Sequence, residues 1–303
     1  MITHKEKLHN LLKNGIPTIQ MVRLRTFGRR IYIKENPFNA YSGLTGALES
    51  ATMKGDEESK RLTSWRDGML NELGRDKTNS YVDSTANFGT LLHESVVRIW
   101  EKKYLDWKWE QEYAENYFLE TDKKIGINSS LSLVKQRVYE YCKHAASLMQ
   151  FIHDYIEDII AVEAMCYSDE LGIATPIDVV CKIKGKIVTI NIKTSTTLGK
   201  SHYEQVVVEK YLWNLCYPDN QAQFTGLIRT KDWNESKVPT YELKVLKEEE
   251  ENKLLEDVLL RLKIAKHLYY NFNRPSPYFT GSTKIGDKPE IQYKSLEEEY
   301  YDN

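Results

Sequence analysis

Three consecutive β-type segments in the second half of the chain constrain its fold more than any other feature. They are IIAVEAMCYS (159–168), IATPIDVVCKIKG (173–185) and KIVTINIKTS (186–195). β-branched residues dominate them, and the glycines at their boundaries indicate short turns between neighbouring strands. A helical pattern over 131–158 precedes these segments, and a helix over 202–216 and a strand over 222–230 follow them. This order predicts an α/β fold with an αβββαβ core and a mixed central sheet.

The rest of the chain predicts a single domain with a helical N-terminal elaboration. Residues 1–283 would form this domain, with 1–158 mostly helical and 159–283 holding the sheet and a C-terminal amphipathic helix. Further predicted elements are helices over 3–14, 43–52 and 58–74, a helix beginning near 86, a hairpin at 22–34 and a strand over 238–246. Residues 284–303 are acidic and are predicted to form a poorly ordered tail.

Composition limits the classes of function that this chain can have. Its 303 residues carry a formal net charge of −2, so nucleic-acid binding would require local basic patches. The sequence contains no apolar run of membrane-spanning length and no signal-type N-terminus, so we expect a cytoplasmic protein without membrane contact. Its 4 cysteines form no C-x-x-C pair, a pattern typical of separate buried thiols in a reducing compartment.

The hairpin predicted at 22–34 carries a local concentration of positive charge. Two interpretations of this charge remain open: an edge hairpin with solvated side chains, or an arm that contacts phosphates. The cations concerned are Arg23, Arg25, Arg29, Arg30 and Lys34.

Five residues that are distant in the chain could converge on one chemical site. Glu163 lies within the first β-type segment and Asp178 in the second, while Asn191 and Lys193 share one face of the third. His93 lies on a predicted helix, within FGTLLHE. Neighbouring strands would bring the acids, the amide and the lysine to one end of the sheet, with the imidazole packed over them.

These residue types suit a site for Mg²⁺ or Mn²⁺. Hard cations prefer oxygen ligands, which Asp178, the Ile192 carbonyl and the Asn191 amide could supply. His93 would favour Mn²⁺ over Mg²⁺. Taken singly, each residue also has an ordinary structural explanation, such as a turn aspartate or a packed histidine.

Two further residues could act on the reacting groups. Glu163 could bind a second ion or hold a metal-bound water. Lys193 could orient the attacking water or stabilise charge that develops on a phosphate. A lysine in a strand is, however, more often a solvated residue.

The order of these motifs resembles the PD-(D/E)xK nucleases, specifically the RecB-type exonuclease branch. The segments that carry the resemblance are FGTLLHE, AVEA, LGIATPIDVV, VTINIKTS and HYEQVVVEKYLW. Upstream, YSGLTGALE and LTSWRDGMLNELG are similar to the segment before the histidine in mitochondrial genome maintenance exonucleases. The likeness covers roughly residues 40–230.

This resemblance implies a restriction-endonuclease-like mixed sheet and metal-dependent hydrolysis of DNA from its ends, with single-stranded ends the expected substrate. It implies metal binding by His93, Asp178, Asn191 and the Ile192 carbonyl, and catalysis by Lys193 with the strand acid Glu163. It also implies that Gln205, Tyr211, Ser42 and Trp65 contact the substrate. To this set we add the hairpin arginines Arg23, Arg25, Arg29 and Arg30. The expected setting is replication, recombination or repair in a bacterial or phage-infected cell, with a replication or recombination protein as a possible further partner.

The chain departs from the family pattern at two positions. Asn191 stands where the family has an acid, and the helix motif Q-x-x-x-Y becomes Gln205 followed by Glu209, with Tyr211 two residues later. The asparagine leaves three interpretations open: a deliberately inactivated form, a degenerate nuclease that only binds DNA, or an active variant in which Glu163 and His93 compensate. A non-enzymatic recombination partner and an α/β scaffold without a nucleic-acid role are the competing functions.

Overall fold

The computed structural model describes residues 4–7, 11–13, 15–26, 29–52, 75–124, 126–195, 197–231, 238–269, 276–280 and 290–302. The strands in this part of the chain are β1 (His4–Lys7), β2 (Leu11–Leu12), β3 (Val22–Thr26), β4 (Arg29–Glu35), β5 (Phe38–Gly43), β6 (Asp158–Ser168), β7 (Ile173–Ile183), β8 (Lys186–Lys193), β9 (Phe224–Lys231), β10 (Thr240–Val245), β11 (Ser276–Thr280) and β12 (Glu290–Lys294). The α-helices are α1 (Leu44–Ala51), α2 (Arg75–Lys102), α3 (Trp107–Lys124), α4 (Leu131–Tyr155), α5 (Lys200–Cys216), α6 (Glu248–Tyr269) and α7 (Leu296–Asp302).

A mixed sheet forms the centre of the protein. Its strand order is β1-β3-β4-β5-β7-β8-β9-β10, and β6 pairs with β7 and with the short β2. Strands β6, β7 and β8 are antiparallel neighbours, whereas β9 lies parallel to β8 after the crossover through α5. The sequence of α4, β6, β7, β8, α5 and β9 confirms the predicted αβββαβ core and the α/β class.

Strand β7 has an open edge in the middle of the sheet. On one side it pairs with β6 along most of its length. On its other side, β8 pairs with residues 179–183 and β5 pairs in parallel with Ile173 and Ala174. The described pairing leaves residues 175–178 between these two partners, and Asp178 stands at the point where β8 separates from β7.

Helices cover both faces of the sheet and bury two separate cores. Leu148 of α4 and Ile190 of β8 belong to the core shared with α2 and α3, while Val207 and Trp213 of α5 belong to the core shared with α1 and α6. Alternate residues of a regular strand share a face, yet Val162 and Ala164 pack into different cores, as do Val179 and Ile177. In both strands the side chains therefore change from one face of the sheet to the other at a single residue. This residue is Glu163 in β6 and Asp178 in β7.

The N-terminal segment contradicts one prediction. A helix was predicted over 3–14, but its described residues, 4–7 and 11–13, are not helical: β1 pairs with β3, and β2 pairs with Ala161 and Val162 of β6. Strand pairing here satisfies backbone groups at sheet edges and overrides a weak local helical pattern. The helix predicted over 58–74 lies outside the described residues.

Helix α3 was not predicted, and buried ion pairs attach it to its neighbours. Glu110 accepts two hydrogen bonds of 3.0 Å from Arg98 of α2 and one of 2.6 Å from the Tyr141 hydroxyl of α4. Asp122, near the other end of α3, pairs with Arg137 of α4 at 2.7 Å. These contacts fix the helical layer that carries His93.

The predicted hairpin at 22–34 is confirmed as β3 and β4, which pair from Val22–Ile33 to Thr26–Arg29. The tail from 284 was predicted to be poorly ordered, but residues 290–302 form β12 and α7. Tyr300 is buried beside Phe38, and its hydroxyl donates a 2.6 Å hydrogen bond to Glu35. An aromatic residue within an acidic segment accounts for this packing.

Two smaller findings bear on the composition. The four cysteines, Cys142, Cys166, Cys181 and Cys216, are free thiols, as predicted, and each is buried or half-buried. In the part of the chain that the structure describes, every helix is too short or too polar to cross a bilayer.

Candidate metal centre

A histidine and two carboxylates meet beside the open edge of β7. His93 Nδ1 lies 3.0 Å from Glu163 Oε1, and His93 Nε2 lies 3.5 Å from Asp178 Oδ2. One ligand atom from each of the three residues lies within 4.8 Å of the others. The Ile192 carbonyl oxygen is 3.4 Å from His93 Nε2. The structure thus brings together four of the residues that the sequence singled out.

The backbone of Glu163 explains how its side chain reaches this place. Its φ of 53° lies in the left-handed region, which non-glycine residues rarely occupy. Such a conformation costs on the order of 1–3 kcal/mol and persists only where the surrounding structure imposes it. It accounts for the change of face in β6, and its side chain is directed towards His93 on α2.

Asp178 is held in place by the neighbouring strand. Its Oδ2 accepts a 2.8 Å hydrogen bond from the backbone N–H of Ile192, and the residue is buried. Burial raises the pKa of this carboxyl above its usual value, against the lowering effect of the charges of His93 and Lys193. Asp178 is thus a fixed oxygen donor at the centre of the cluster.

The imidazole of His93 is a strong base in this environment. Burial lowers its pKa, but the charge of Asp178 and the hydrogen bond and charge of Glu163 outweigh burial and raise the pKa to about 9. At neutral pH the ring is therefore protonated and holds two carboxylates together. A divalent cation bound by these groups would replace this proton.

Asn191 faces a carboxylate that the sequence analysis did not assign to the site. Its amide nitrogen donates to Glu209 Oε1 at 3.1 Å and to Glu209 Oε2 at 3.0 Å. Both residues are 1% exposed. Burial and then the charge of Asp178 raise the pKa of Glu209 to about 8. The amide oxygen of Asn191 is buried and has no hydrogen-bond partner in the described structure.

Gln205 connects this pair to the lysine. Its amide oxygen accepts a 2.9 Å hydrogen bond from Lys193 Nζ, and its amide nitrogen donates to Glu209 Oε1 at 2.7 Å. The two side chains of α5 lie one helical turn apart and so face β8 together. Gln205 was predicted to contact DNA, but its described partners are Lys193 and Glu209.

Glu209 is the residue that sequence reasoning missed. The available signal was its position four residues after Gln205, where the family motif places tyrosine. Its significance depends on a contact with Asn191 across 18 positions of the chain, which the motif does not reveal.

The remaining predicted substrate residues have different positions. Tyr211 packs against the core shared with α1 and α6, away from the cluster. Ser42 is buried in β5, and its hydroxyl is directed to the Gly43 carbonyl at 3.4 Å. Trp65 lies outside the described residues, as do the side chains of Arg25 and Arg29.

Two hairpin arginines influence a tyrosine hydroxyl that Glu163 also influences. Arg30 is hydrogen-bonded to the hydroxyl of Tyr32, and the charges of Arg30, Arg23 and Glu163 all act on that hydroxyl. Arg23 and Tyr32 are also cross-strand partners. The Tyr32 hydroxyl thus lies within electrostatic range of both the hairpin arginines and Glu163.

The donor set fits a divalent cation. Two carboxylates and an imidazole converge, and the Asn191 amide oxygen is a buried acceptor without a partner. A buried unsatisfied acceptor is unfavourable, and amide oxygens are ligands for hard cations. These donors are compatible with a divalent cation.

Comparisons with known proteins add little to this geometry. No family model matches the chain, and no curated protein matches it. The crystal structure of a "Putative exonuclease" from Eubacterium rectale is similar to it with a TM-score of 0.34 and 13% sequence identity. The match covers 52% of this chain and 66% of that one, just under two thirds of the solved structure. The case for a function therefore depends on the residues of the site.

Proposed function

We propose that the protein is a divalent-metal-dependent nuclease that hydrolyses phosphodiester bonds at DNA ends. The observation that carries this proposal is the convergence of His93, Glu163 and Asp178, with one ligand atom from each within 4.8 Å of the others. These residues come from a helix and two strands, and Glu163 adopts an unfavourable backbone conformation to join them. Strain of this kind is concentrated at functional sites.

The side chains have distinct roles in this proposal. His93, Glu163, Asp178 and the Asn191 amide oxygen would hold the ion, which would polarise a phosphoryl oxygen and acidify a bound water. Lys193, held by Gln205 at 2.9 Å, would place its ammonium beside the scissile phosphate and stabilise charge developing there. The charge of Lys193 acts on both Asp178 and His93, which supports its place in the same site.

The charge around the site supports a nucleic-acid substrate. Arg30 and Arg23 act on the same hydroxyl as Glu163, so a phosphate chain could run from the hairpin to the carboxylates. We propose single-stranded DNA ends as the substrate and a role in replication, recombination or repair. A DNA-binding protein without hydrolytic activity is the alternative.

A hydrolysis assay tests the proposal. The wild-type protein is incubated with end-labelled linear DNA, single- or double-stranded, and with circular DNA, in Mn²⁺ or Mg²⁺. We expect metal-dependent release of label from linear DNA, lost in Lys193→Ala and in Asp178→Ala. Lys182→Ala is the matched control, because Lys182 is an exposed lysine of β7. Salt-sensitive binding with no hydrolysis by any form would favour the binding protein instead.

A further inference from the structure

The two departures from the nuclease pattern are in contact with each other. Asn191 occupies the position on β8 where the nuclease pattern has an acid. Glu209 is an acid at the position on α5 where the pattern has tyrosine. The amide nitrogen of Asn191 lies 3.1 and 3.0 Å from the two carboxylate oxygens of Glu209. We propose that Glu209 is a positioning residue, which orients the Asn191 amide so that its oxygen faces the metal centre. This inference rests on the proposed function, because it concerns the same metal centre.

The contact fixes the orientation of the Asn191 amide. The amide nitrogen lies 3.1 and 3.0 Å from the two carboxyl oxygens of Glu209, so the amide oxygen faces away from Glu209. That oxygen is the buried acceptor without a partner. The last described pair between β7 and β8 is Val179–Ile190, and one step beyond it the register brings Asn191 opposite Asp178. The amide oxygen is thereby available to an ion held by Asp178.

Glu209 is itself held by the residue that holds the lysine. Gln205 donates to Glu209 at 2.7 Å and accepts from Lys193 at 2.9 Å. A single carboxylate on α5 thus sets the orientation of Asn191 directly and that of Lys193 through one glutamine. Replacing this carboxylate with a carboxamide would place hydrogen-bond donors against donors, or force Asn191 to turn its oxygen away from the metal side.

The same contact weighs against an inactivated form. An aspartate at position 191 would place a second buried acid about 3 Å from Glu209 and would remove the amide donor that Glu209 now accepts from. Asparagine suits this position because its amide nitrogen donates to both carboxyl oxygens of Glu209. Asn191 and Glu209 therefore form one matched pair, in which the strand carries the amide and the helix carries the acid.

A double-mutant exchange tests this inference. The full-length proteins are Asn191→Asp, Glu209→Gln, the double variant Asn191→Asp/Glu209→Gln, and wild type. Mn²⁺ binding is followed by the loss of the free-ion signal in electron paramagnetic resonance, and the denaturant midpoint of the metal-free protein is measured in parallel. Glu204→Gln is the matched control, because Glu204 is a buried acid of α5 that pairs with Arg261 at 2.5 Å and does not contact Asn191.

Glu209→Gln should weaken Mn²⁺ binding by about tenfold or more, the usual effect of losing a residue that orients a ligand. The double variant should recover most of this loss, since an aspartate at 191 then supplies the charge directly. Asn191→Asp alone should lower the metal-free denaturant midpoint, and Glu209→Gln should rescue that midpoint. Glu204→Gln should lower the midpoint but leave Mn²⁺ affinity unchanged.

Wild-type affinity in Glu209→Gln, or no recovery in the double variant, would overturn the inference while leaving the metal centre intact. Failure of the wild-type protein to bind Mn²⁺ would instead overturn the proposed function, and this inference with it. A wild-type midpoint in Asn191→Asp would show that the pair is not matched and would also overturn the inference.

Discussion

Removing the titratable ring of His93 should change how the stability of the metal-free protein depends on pH. The pKa of His93 is raised from 6.5 to about 9 in the folded protein, so between these values the folded state binds more protons than the unfolded state. The stabilisation by the protonated ring is therefore complete below pH 6.5 and is lost as the pH rises through 9. One pKa unit corresponds to about 1.4 kcal/mol, and the side chain is 22% exposed, so we expect roughly 2–3 kcal/mol in total.

The variant His93→Gln isolates this contribution. Glutamine can keep a hydrogen bond to Glu163 but does not titrate, so other pH-dependent groups cancel when the two proteins are compared. Urea unfolding is measured with a chelator at several values between pH 6 and pH 9.5. The difference in unfolding free energy between wild type and variant should be largest at pH 6 and should shrink steadily above pH 6.5. A difference that is constant across this range, or that grows with pH, would refute the assignment of a protonated His93 between two carboxylates.

Four other changes have defined outcomes. Arg98→Ala leaves the buried carboxylate of Glu110 without its bidentate partner and should lower the free energy of unfolding by about 3–5 kcal/mol in chemical denaturation. Gly89→Ala should raise the free energy of unfolding by about 0.5–1 kcal/mol, since the added Cβ meets no atom within 4 Å in the middle of α2; a loss of stability would contradict the described helix. Glu209→Gln should flatten the decline of metal-free stability between about pH 4.5 and 8, because the raised pKa of Glu209 favours the folded state at low pH; an unchanged slope in urea unfolding would argue against its burial as an acid. Arg30→Ala should reduce the salt dependence of single-stranded DNA binding by about 0.7–1 in the log–log slope, measured by fluorescence anisotropy, whereas an unchanged slope would remove this arginine from the phosphate path.

Local sequence patterns were sufficient to predict the core. Strands β6 to β8 follow from β-branched segments bounded by glycine, and α4 and α5 follow from helical periodicity around them. The sequence also predicted that His93, Glu163 and Asp178 lie close together, because their residue types and their order in the chain resemble a known pattern. The distances of 3.0 and 3.5 Å from His93 to the two carboxylates agree with that prediction.

Long-range contacts determined what could not be predicted. β1 and β2 are strands because sheet edges need partners. Helix α3 is held by Glu110 and Asp122, whose partners lie on other helices. The change of face in β6 depends on the left-handed backbone conformation of Glu163. An alternating pattern of side chains in the sequence does not indicate this conformation.

The role of Glu209 was hidden for a similar reason. The motif suggested that a DNA contact had been lost at this position of α5. The structure places the carboxylate against Asn191, which the sequence analysis had treated as a separate defect of the site. A contact between two positions 18 residues apart becomes visible only in the folded structure.

Anomalous diffraction from a crystal of the wild-type protein soaked in MnCl₂ tests the central claim most directly. A Mn²⁺ peak should lie among the side chains of His93, Glu163 and Asp178, within coordination distance of the Asn191 amide oxygen, and Asp178→Asn should abolish it. A protein that crystallises with these side chains in the described positions but shows no peak there, or a peak that persists unchanged in Asp178→Asn, would contradict a metal centre at this site.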